Sequence, residues 1–321
     1  MNSVHTGWHR ALDVQMDTLK WLKQDYGVSY SYNFFNGLIG ADLNRVTKDF
    51  DLLNFVSNLC STLWQADTVF ITTDMMHLLL QAAHDLPQNV VFEKESMLSP
   101  RGFVLFEEPI DGIDRNGRKV TMHAMAWVLD RVRNDADESN PLETIIIYYF
   151  TDPTDFNDEF NEQYIANCAR DGVPVPPLVL AHLYPCRIGE PMPDYTVQGS
   201  ELVVGIVKLF VAMQLLAQQK IGAPIRLDPD RASRKRFARE FPNEPQRFIT
   251  LITLRRKSVK KDDEEPQKIE WSRRWVVSGH WRRQYYSKTK THSWVYIYEH
   301  IKGPEDKPLI ITERRVFNFR R

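Results

Sequence analysis

The segment ELVVGIVKLFVAMQLLAQQKIG, from Glu201 to Gly222, constrains the fold of this chain more than any other stretch. Its apolar residues occur on every side of a helical projection, which is typical of a helix buried on most of its surface. Lys208 and Gln214 interrupt it, and its uninterrupted apolar runs are far shorter than the roughly 20 residues that a bilayer span needs. The sequence therefore predicts a central core helix, capped by Ser200 and ended at Gly222.

The rest of the chain consists of runs of helix and runs of strand. Apolar residues recur every three or four positions from Leu43 to Leu63, and a second helix is predicted from Thr73 to about Asp85. Short β-prone runs follow from NVVFE to TIIIYYF. This succession predicts an α+β fold, in which a helical and mixed-sheet unit (1–226) precedes a basic helix and a small antiparallel sheet (227–321).

Charge is segregated along the chain although the net charge is only −1. Residues 231–321 contain 24 Lys and Arg against 11 Asp and Glu, whereas the remainder contains 17 against 31. Such a distribution indicates an anionic partner for the C-terminal unit, or docking of one unit on the other. A basic protein partner for the acidic N-terminal unit stays open as a third interpretation.

The stretch DPDRASRKRFAREF predicts a basic helix that begins at a cap supplied by Asp228 or Asp230. Closely spaced cations repel one another on a helix, so an anion is the expected counterpart. The phosphate-binding residues predicted here are Arg234, Lys235, Arg236 and Arg239.

Two later strands, GHWRRQYY and SWVYIYEHI, mix aromatic and basic residues. Alternate residues of a strand face opposite sides, so Trp294, Tyr296 and Tyr298 share a face. If His280, Arg282 and Gln284 join that face, cations and rings together form a platform for single-stranded nucleic acid. Arg283 falls with Trp281 in the alternation and is also predicted to bind nucleic acid. In the alternative, the aromatic row is covered by another part of the protein, for which the basic helix is available, or forms a protein interface.

Enzyme motifs are scarce in the sequence. It contains no phosphate-binding GxxxxGK[ST] loop, no GxGxxG, no HExxH and no GxSxG. The acidic string TDPTDFNDEF is better explained by helix capping, with Asp155 or Asn157 as the cap, than by a metal site, and no cofactor is predicted. Three scattered cysteines and the lack of an apolar leader predict a cytoplasmic protein without disulfides.

A metal-independent ribonuclease is the enzymatic alternative. His280 and His292 lie among arginines, lysines and tyrosines that can transfer protons or stabilise a phosphorane. A helix followed by a small antiparallel sheet with such residues resembles the barnase-like and RelE-like ribonuclease toxins in architecture, without a shared motif.

The C-terminal segment GHWRRQYYSKTKTHSWVYIYEHIKGPEDKPL resembles the tail of a group of bacterial and phage proteins with no established activity, and LPQNVVFEKESMLSPRGFVLFEEPI resembles their middle region. The resemblance implies a bacterial or mobile-element setting and a two-part architecture. The sequence as a whole predicts a nucleic-acid-binding protein, with DNA and RNA both open as ligands.

Overall fold

The computed structural model describes residues 7–27, 29–31, 52–113, 119–132, 142–155, 159–191, 201–219, 222, 224–254 and 273–310. The helices are α1 (Ala11–Leu22), α2 (Leu52–Gln65), α3 (Thr73–His84), α4 (Glu159–Arg170), α5 (Glu201–Ala217) and α6 (Arg231–Glu240), with short 3-10 turns at Trp8–Arg10 and Lys94–Ser96. The first seven strands are β1 (Asp67–Ile71), β2 (Arg101–Ile113), β3 (Lys119–Val132), β4 (Leu142–Thr151), β5 (Val179–Arg187), β6 (Ile225–Leu227) and β7 (Ile249–Ile252). The last five are β8 (Arg274–Val277), β9 (His280–Tyr286), β10 (Thr291–Ile297), β11 (His300–Lys302) and β12 (Leu309–Ile310).

A seven-stranded mixed sheet in the order β5-β4-β3-β2-β1-β7-β6 organises the molecule. Strand β1 is parallel to β2 and β7, and the other neighbours are antiparallel. Because side chains alternate along a strand, Val69 and Ile71 pack on one face with α3 and α5, while Phe70 packs on the other face with α1 and α2. The sheet is therefore covered by helices on both faces.

Helix α5 is the predicted core helix. Phe210, Val211, Ala212 and Leu216 are fully buried in the cluster that α5 forms with α3 and the sheet. No helix within the described residues is long and apolar enough to cross a membrane. Other predicted helices are also present, although residues 43–51 of the first one lie outside the described part.

Residues 225–252 are part of the main sheet and its helical layers. Strand β7 pairs with β1 and β6 within the sheet, and Phe237 of α6 is buried beside α1. The expected boundary after Arg226 therefore divides strand β6. Helix α6 and strand β7, which follow that boundary in the chain, pack with the N-terminal unit. Sequence reasoning missed this because a strand as short as ITLI carries no signal of its pairing partner.

Two small sheets follow toward the C-terminus and complete the α+β fold. Strands β9 and β10 form an antiparallel hairpin, and β8 lies between antiparallel β11 and parallel β12. The predicted α+β class, with small sheets toward the C-terminus, is confirmed. The basic helix α6, however, lies between β6 and β7 of the main sheet, and only the β9–β10 sheet is purely antiparallel. The charged stretch RRKSVKKDDEEPQK lies outside the described residues.

Candidate nucleic-acid interface

The register of the β9–β10 hairpin decides which side chains share a face. Trp294 lies opposite Arg283, Tyr296 opposite Trp281, and His292 opposite Tyr285. Directly opposed residues of an antiparallel pair lie on the same side. The expectation that His280, Arg282 and Gln284 share a face with Trp294 is therefore wrong. In this register they lie on the opposite face, because a shift by one residue moves all alternate side chains of a strand to the other side.

The aromatic face of the hairpin turns inward at its base. Tyr296 is only 4% exposed, and its hydroxyl donates to Asp85 Oδ2 at 3.0 Å. Burial and this hydrogen bond both raise the pKa of Tyr296. Trp281 Nε1 donates to the carbonyl oxygen of Ala82 at 2.7 Å, and the close approach of the Tyr296 hydroxyl leaves no room for a side chain at Gly279.

These contacts make Tyr296 an anchor of the hairpin rather than a ring available to bases. The alternative that the aromatic row is covered is correct for Tyr296, but α3 and the end of α5 provide the cover and the basic helix does not. The Tyr296 backbone N–H also donates to Gln219 Oε1 at 3.1 Å, which ties the hairpin to α5.

The turn end of the hairpin is exposed and basic. Tyr285 and Tyr286 are 49% and 45% exposed. The hairpin carries four exposed cations, with Lys288 and Lys290 in the turn, Arg283 on the face of Trp294 and Arg282 on the opposite face, and the sequence from His280 to Ile297 contains no Asp or Glu. Among the described residues none of these cations forms an ion pair; they are Arg282, Arg283, Lys288 and Lys290.

A cleft of about 720 Å³ separates this exposed end from the C-terminal end of α5. Half-buried Trp294 contributes an aromatic ring to its lining, and Gln218 and Lys288 contribute an amide and an ammonium group. Rings, hydrogen-bonding amides and a cation are thus combined in one open concavity, which suits an unpaired base and its phosphate.

Tyr298 lies outside β10 and has different neighbours. It is 43% exposed and lines a shallow cavity of about 360 Å³ with Asp74, His77 and Glu299. The two carboxylates there disfavour a phosphate, so the structure separates Tyr298 from the basic end of the hairpin.

The two histidines proposed for catalysis do not face each other. His280 pairs with Ile297 and His292 with Tyr285, five residue pairs along the ladder. At a rise of about 3.4 Å per residue they are about 17 Å apart, and the odd spacing places them on opposite faces. Both are exposed, but they cannot act together on one phosphodiester.

Helix α6 carries the other predicted basic surface, and its cations differ in environment. Asp230 caps the helix, since its carboxylate accepts the backbone N–H of Ser233 at 2.7 Å. Arg236 points at α1, where it forms a bidentate pair with Asp17 and lies 3.6 Å from Asp13 Oδ1. The hydrogen bond to Asp17 raises the pKa of Arg236.

Arg236 is therefore a structural residue rather than a phosphate ligand. Arg234, Lys235 and Arg239 are exposed, as predicted for binding residues. Helix α6 nevertheless packs in the cluster with α1 and α2, whereas Trp281 and Tyr296 pack in the cluster with α3 and α5. The helix and the hairpin lie on opposite faces of the main sheet and do not form one platform.

Sequence reasoning missed His123, a buried histidine of strand β3 that bonds to the acidic loop after β4. His123 is fully buried; its Nε2 donates to Asp155 Oδ2 at 2.8 Å, and its Nδ1 accepts the backbone N–H of Asp152 at 3.1 Å. Asp152 Oδ1 accepts both the backbone N–H and the hydroxyl of Thr154. These bonds hold the loop in place, and Asp155 binds a histidine. Asn157, the other predicted cap, lies outside the described residues, as does Asp158.

Comparisons with known proteins add little to this geometry. No family model and no curated protein matches the chain. One solved structure, the crystal structure of AcrVA2, is similar over 92% of this chain and 94% of its own, with 11% identity and a TM-score of 0.40. At that TM-score and identity, nothing about function follows from the similarity.

Proposed function

We propose that this protein binds single-stranded nucleic acid through the turn end of the β9–β10 hairpin. The observation that carries the proposal is a hairpin with four exposed, unpaired cations within the described chain, no acidic residue and two half-exposed tyrosines. A merely solvated hairpin gains nothing from clustering like charges around exposed rings.

Each part of the surface has a role that its chemistry suggests. The cations neutralise backbone phosphates, and Tyr285 and Tyr286 stack on bases. Trp294 and Gln218 receive one base in the adjoining cleft, where the amide can bond its edge. Paired bases cannot reach such a cleft, so we expect single strands to bind more tightly than a duplex.

The proposed setting is a bacterial or mobile-element system, on the strength of the C-terminal resemblance alone. Binding without cleavage is the activity we propose, because the two exposed histidines are about 17 Å apart on opposite faces of the hairpin. Whether the strand is DNA or RNA depends on contacts to the 2′-hydroxyl, so both serve as probes.

The test uses the full-length chain, because the hairpin is anchored to α3 and α5 and β7 lies in the main sheet. Labelled single-stranded DNA, RNA and duplex DNA are titrated at several salt concentrations. Binding of a single strand with an affinity that falls steeply with salt is expected, because each neutralised phosphate releases counterions. Gel analysis of the same samples reports whether the strand stays intact.

Two charge variants locate the surface. Replacing Arg282, Arg283, Lys288 and Lys290 by Gln removes the hairpin cations and should flatten the salt slope by about 0.7 for each phosphate that is no longer neutralised. The matched control replaces Arg231, Arg234, Lys235 and Arg239 of α6 by Gln and should keep wild-type affinity. Equal loss of affinity in both variants, or binding that ignores salt, contradicts the proposal.

A further inference from the structure

A second concavity lies beside α6, on the face of the sheet opposite the hairpin. Its volume is about 380 Å³, within the roughly 300 to 1,000 Å³ range of small-ligand pockets. Leu12, Phe237 and Phe241 line it, together with Ala238 and Pro242. The lining is therefore apolar and partly aromatic, unlike a surface that binds phosphates alone.

Cations of α6 form the rim of this cleft. Arg231, Arg234 and Lys235 are spaced by three and four residues, so they share one side of the helix. All three are exposed, and among the described residues none of them forms an ion pair. Arg236, which points the other way, has three carboxylates around it.

Arg247 fixes the inner end of the cleft. Its guanidinium lies 4.9 Å from the centre of the Trp64 ring and 5.5 Å from that of Phe237, and it donates to the carbonyl oxygens of Trp64 and Ala66. These contacts hold a positive charge against the aromatic lining. Among the described residues that line the cleft, Glu244 is the sole carboxylate, and four cations outnumber it.

We infer that this cleft binds a small molecule that joins two or more phosphate charges to a flat apolar body, which is the chemistry of a nucleoside diphosphate. The rim cations contact the phosphates, and the aromatic lining contacts the flat ring. The rim needs an anion because three mutually repelling cations on one helix face destabilise it when left unpaired. The apolar lining needs a ring, because inorganic phosphate would leave it in contact with water.

The inference does not depend on the proposed function, since the cleft and the hairpin lie on opposite faces of the sheet. The probe is ADP, with adenosine and pyrophosphate as its two halves, titrated calorimetrically into the full-length protein. We expect ADP to bind at least tenfold more tightly than either half. If pyrophosphate binds as tightly as ADP, the apolar lining has no role in binding. If ADP does not bind, the proposed site is wrong.

The variants Arg234→Ala and Lys235→Ala should each weaken ADP binding at least fivefold while the melting temperature without ligand does not fall. The matched control is Arg239→Ala, which removes another exposed cation of the same helix, one that is not among the residues lining the cleft. Equal weakening by Arg239→Ala shows a diffuse charge effect and overturns the site. Release of bound ADP by a single-stranded oligonucleotide does so too, because the cleft then belongs to the nucleic-acid surface.

Discussion

The two basic regions of this protein look alike in sequence and differ in the structure. Helix α6 has five cations in ten residues, but one of them, Arg236, is neutralised by α1 and Glu240 and the cleft-facing ones border an apolar concavity. The β9–β10 hairpin has four cations with exposed tyrosines and no internal carboxylate. A charge count alone cannot separate a helix that docks on its own protein from a hairpin whose charges stay exposed.

The largest effect on stability is expected from a substitution on the buried face of the hairpin. Tyr296→Ala removes a ring that is 4% exposed and strands the carboxylate of Asp85, so we expect a loss of about 3 to 5 kcal/mol in the free energy of unfolding. Urea denaturation measures it. The control Tyr298→Ala, at an exposed ring, should cost about 0.5 kcal/mol or less; equal losses would contradict the anchoring role.

The next largest effect distinguishes the side of α6 that contacts α1 from its exposed side. Arg236→Ala removes the guanidinium that pairs with Asp17, while Asp13 keeps Arg10 and Ser233, and the loss of charged hydrogen bonds should cost about 1.5 to 3 kcal/mol of stability. Arg239→Ala, at an exposed site on the same helix, should change stability by about 0.5 kcal/mol or less. Thermal unfolding of both variants decides the matter, and similar melting temperatures would show that α6 docks without the ion pair.

A third prediction concerns the exposed rings of the hairpin. Tyr285→Ala should weaken binding of a single-stranded oligonucleotide by about 1 to 3 kcal/mol, which is the contribution of one stacked base. Fluorescence anisotropy measures the affinity, and urea denaturation should show wild-type stability. Retention of full affinity would leave the cations as the only binding groups and remove the stacking role.

A substitution at Lys290 should change stability and binding in opposite directions. It has φ of 55°, a left-handed conformation in which a lysine is strained and glycine is not. We expect Lys290→Gly to raise the free energy of unfolding by about 0.5 to 1 kcal/mol and to weaken oligonucleotide binding because the ammonium charge is removed. A variant that is more stable and binds equally well would show that Lys290 contacts no phosphate.

The smallest effect is a pH dependence at the α1–α6 contact. Burial opposes ionisation of Glu240, but Lys20 and Arg236 outweigh it and lower its pKa. The stabilisation is therefore complete above the unfolded pKa of about 4.3 and disappears as pH falls through the lower folded value. In urea denaturation, Glu240→Gln should cost about 0.5 kcal/mol at pH 6 and progressively less as the pH falls below the unfolded pKa. A cost independent of pH would exclude the ion pair as its cause.

The sequence was sufficient for the features that depend on local pattern. The apolar character of Glu201–Gly222 identified the core helix, although the helix ends at Ala217, and the cap of α6 was narrowed to Asp228 or Asp230, of which Asp230 is the cap. It was insufficient where pairing decides the outcome. Whether Tyr296 points inward depends on its partner Trp281 and on α3, which is about 200 residues away in the chain.

The candidate site shows the same division. Exposed Arg234, Lys235, Arg239, Arg282 and Arg283 were identified from composition, because clustered cations stay on the surface. These cations lie on two different faces of the main sheet, which depends on strand order. Residue types do not predict strand order. The apolar lining beside α6 was missed for the same reason, since Leu12 and Phe241 meet only in the folded chain.

The most direct measurement is photo-crosslinking of a bromouridine-substituted single strand to the full-length protein, followed by mass spectrometry of the crosslinked peptides. Our account predicts crosslinks at Tyr285, Tyr286 or Trp294, and their disappearance when the four hairpin cations are replaced by Gln. Crosslinks confined to the α6 cleft, at Phe237 or Phe241, would contradict it.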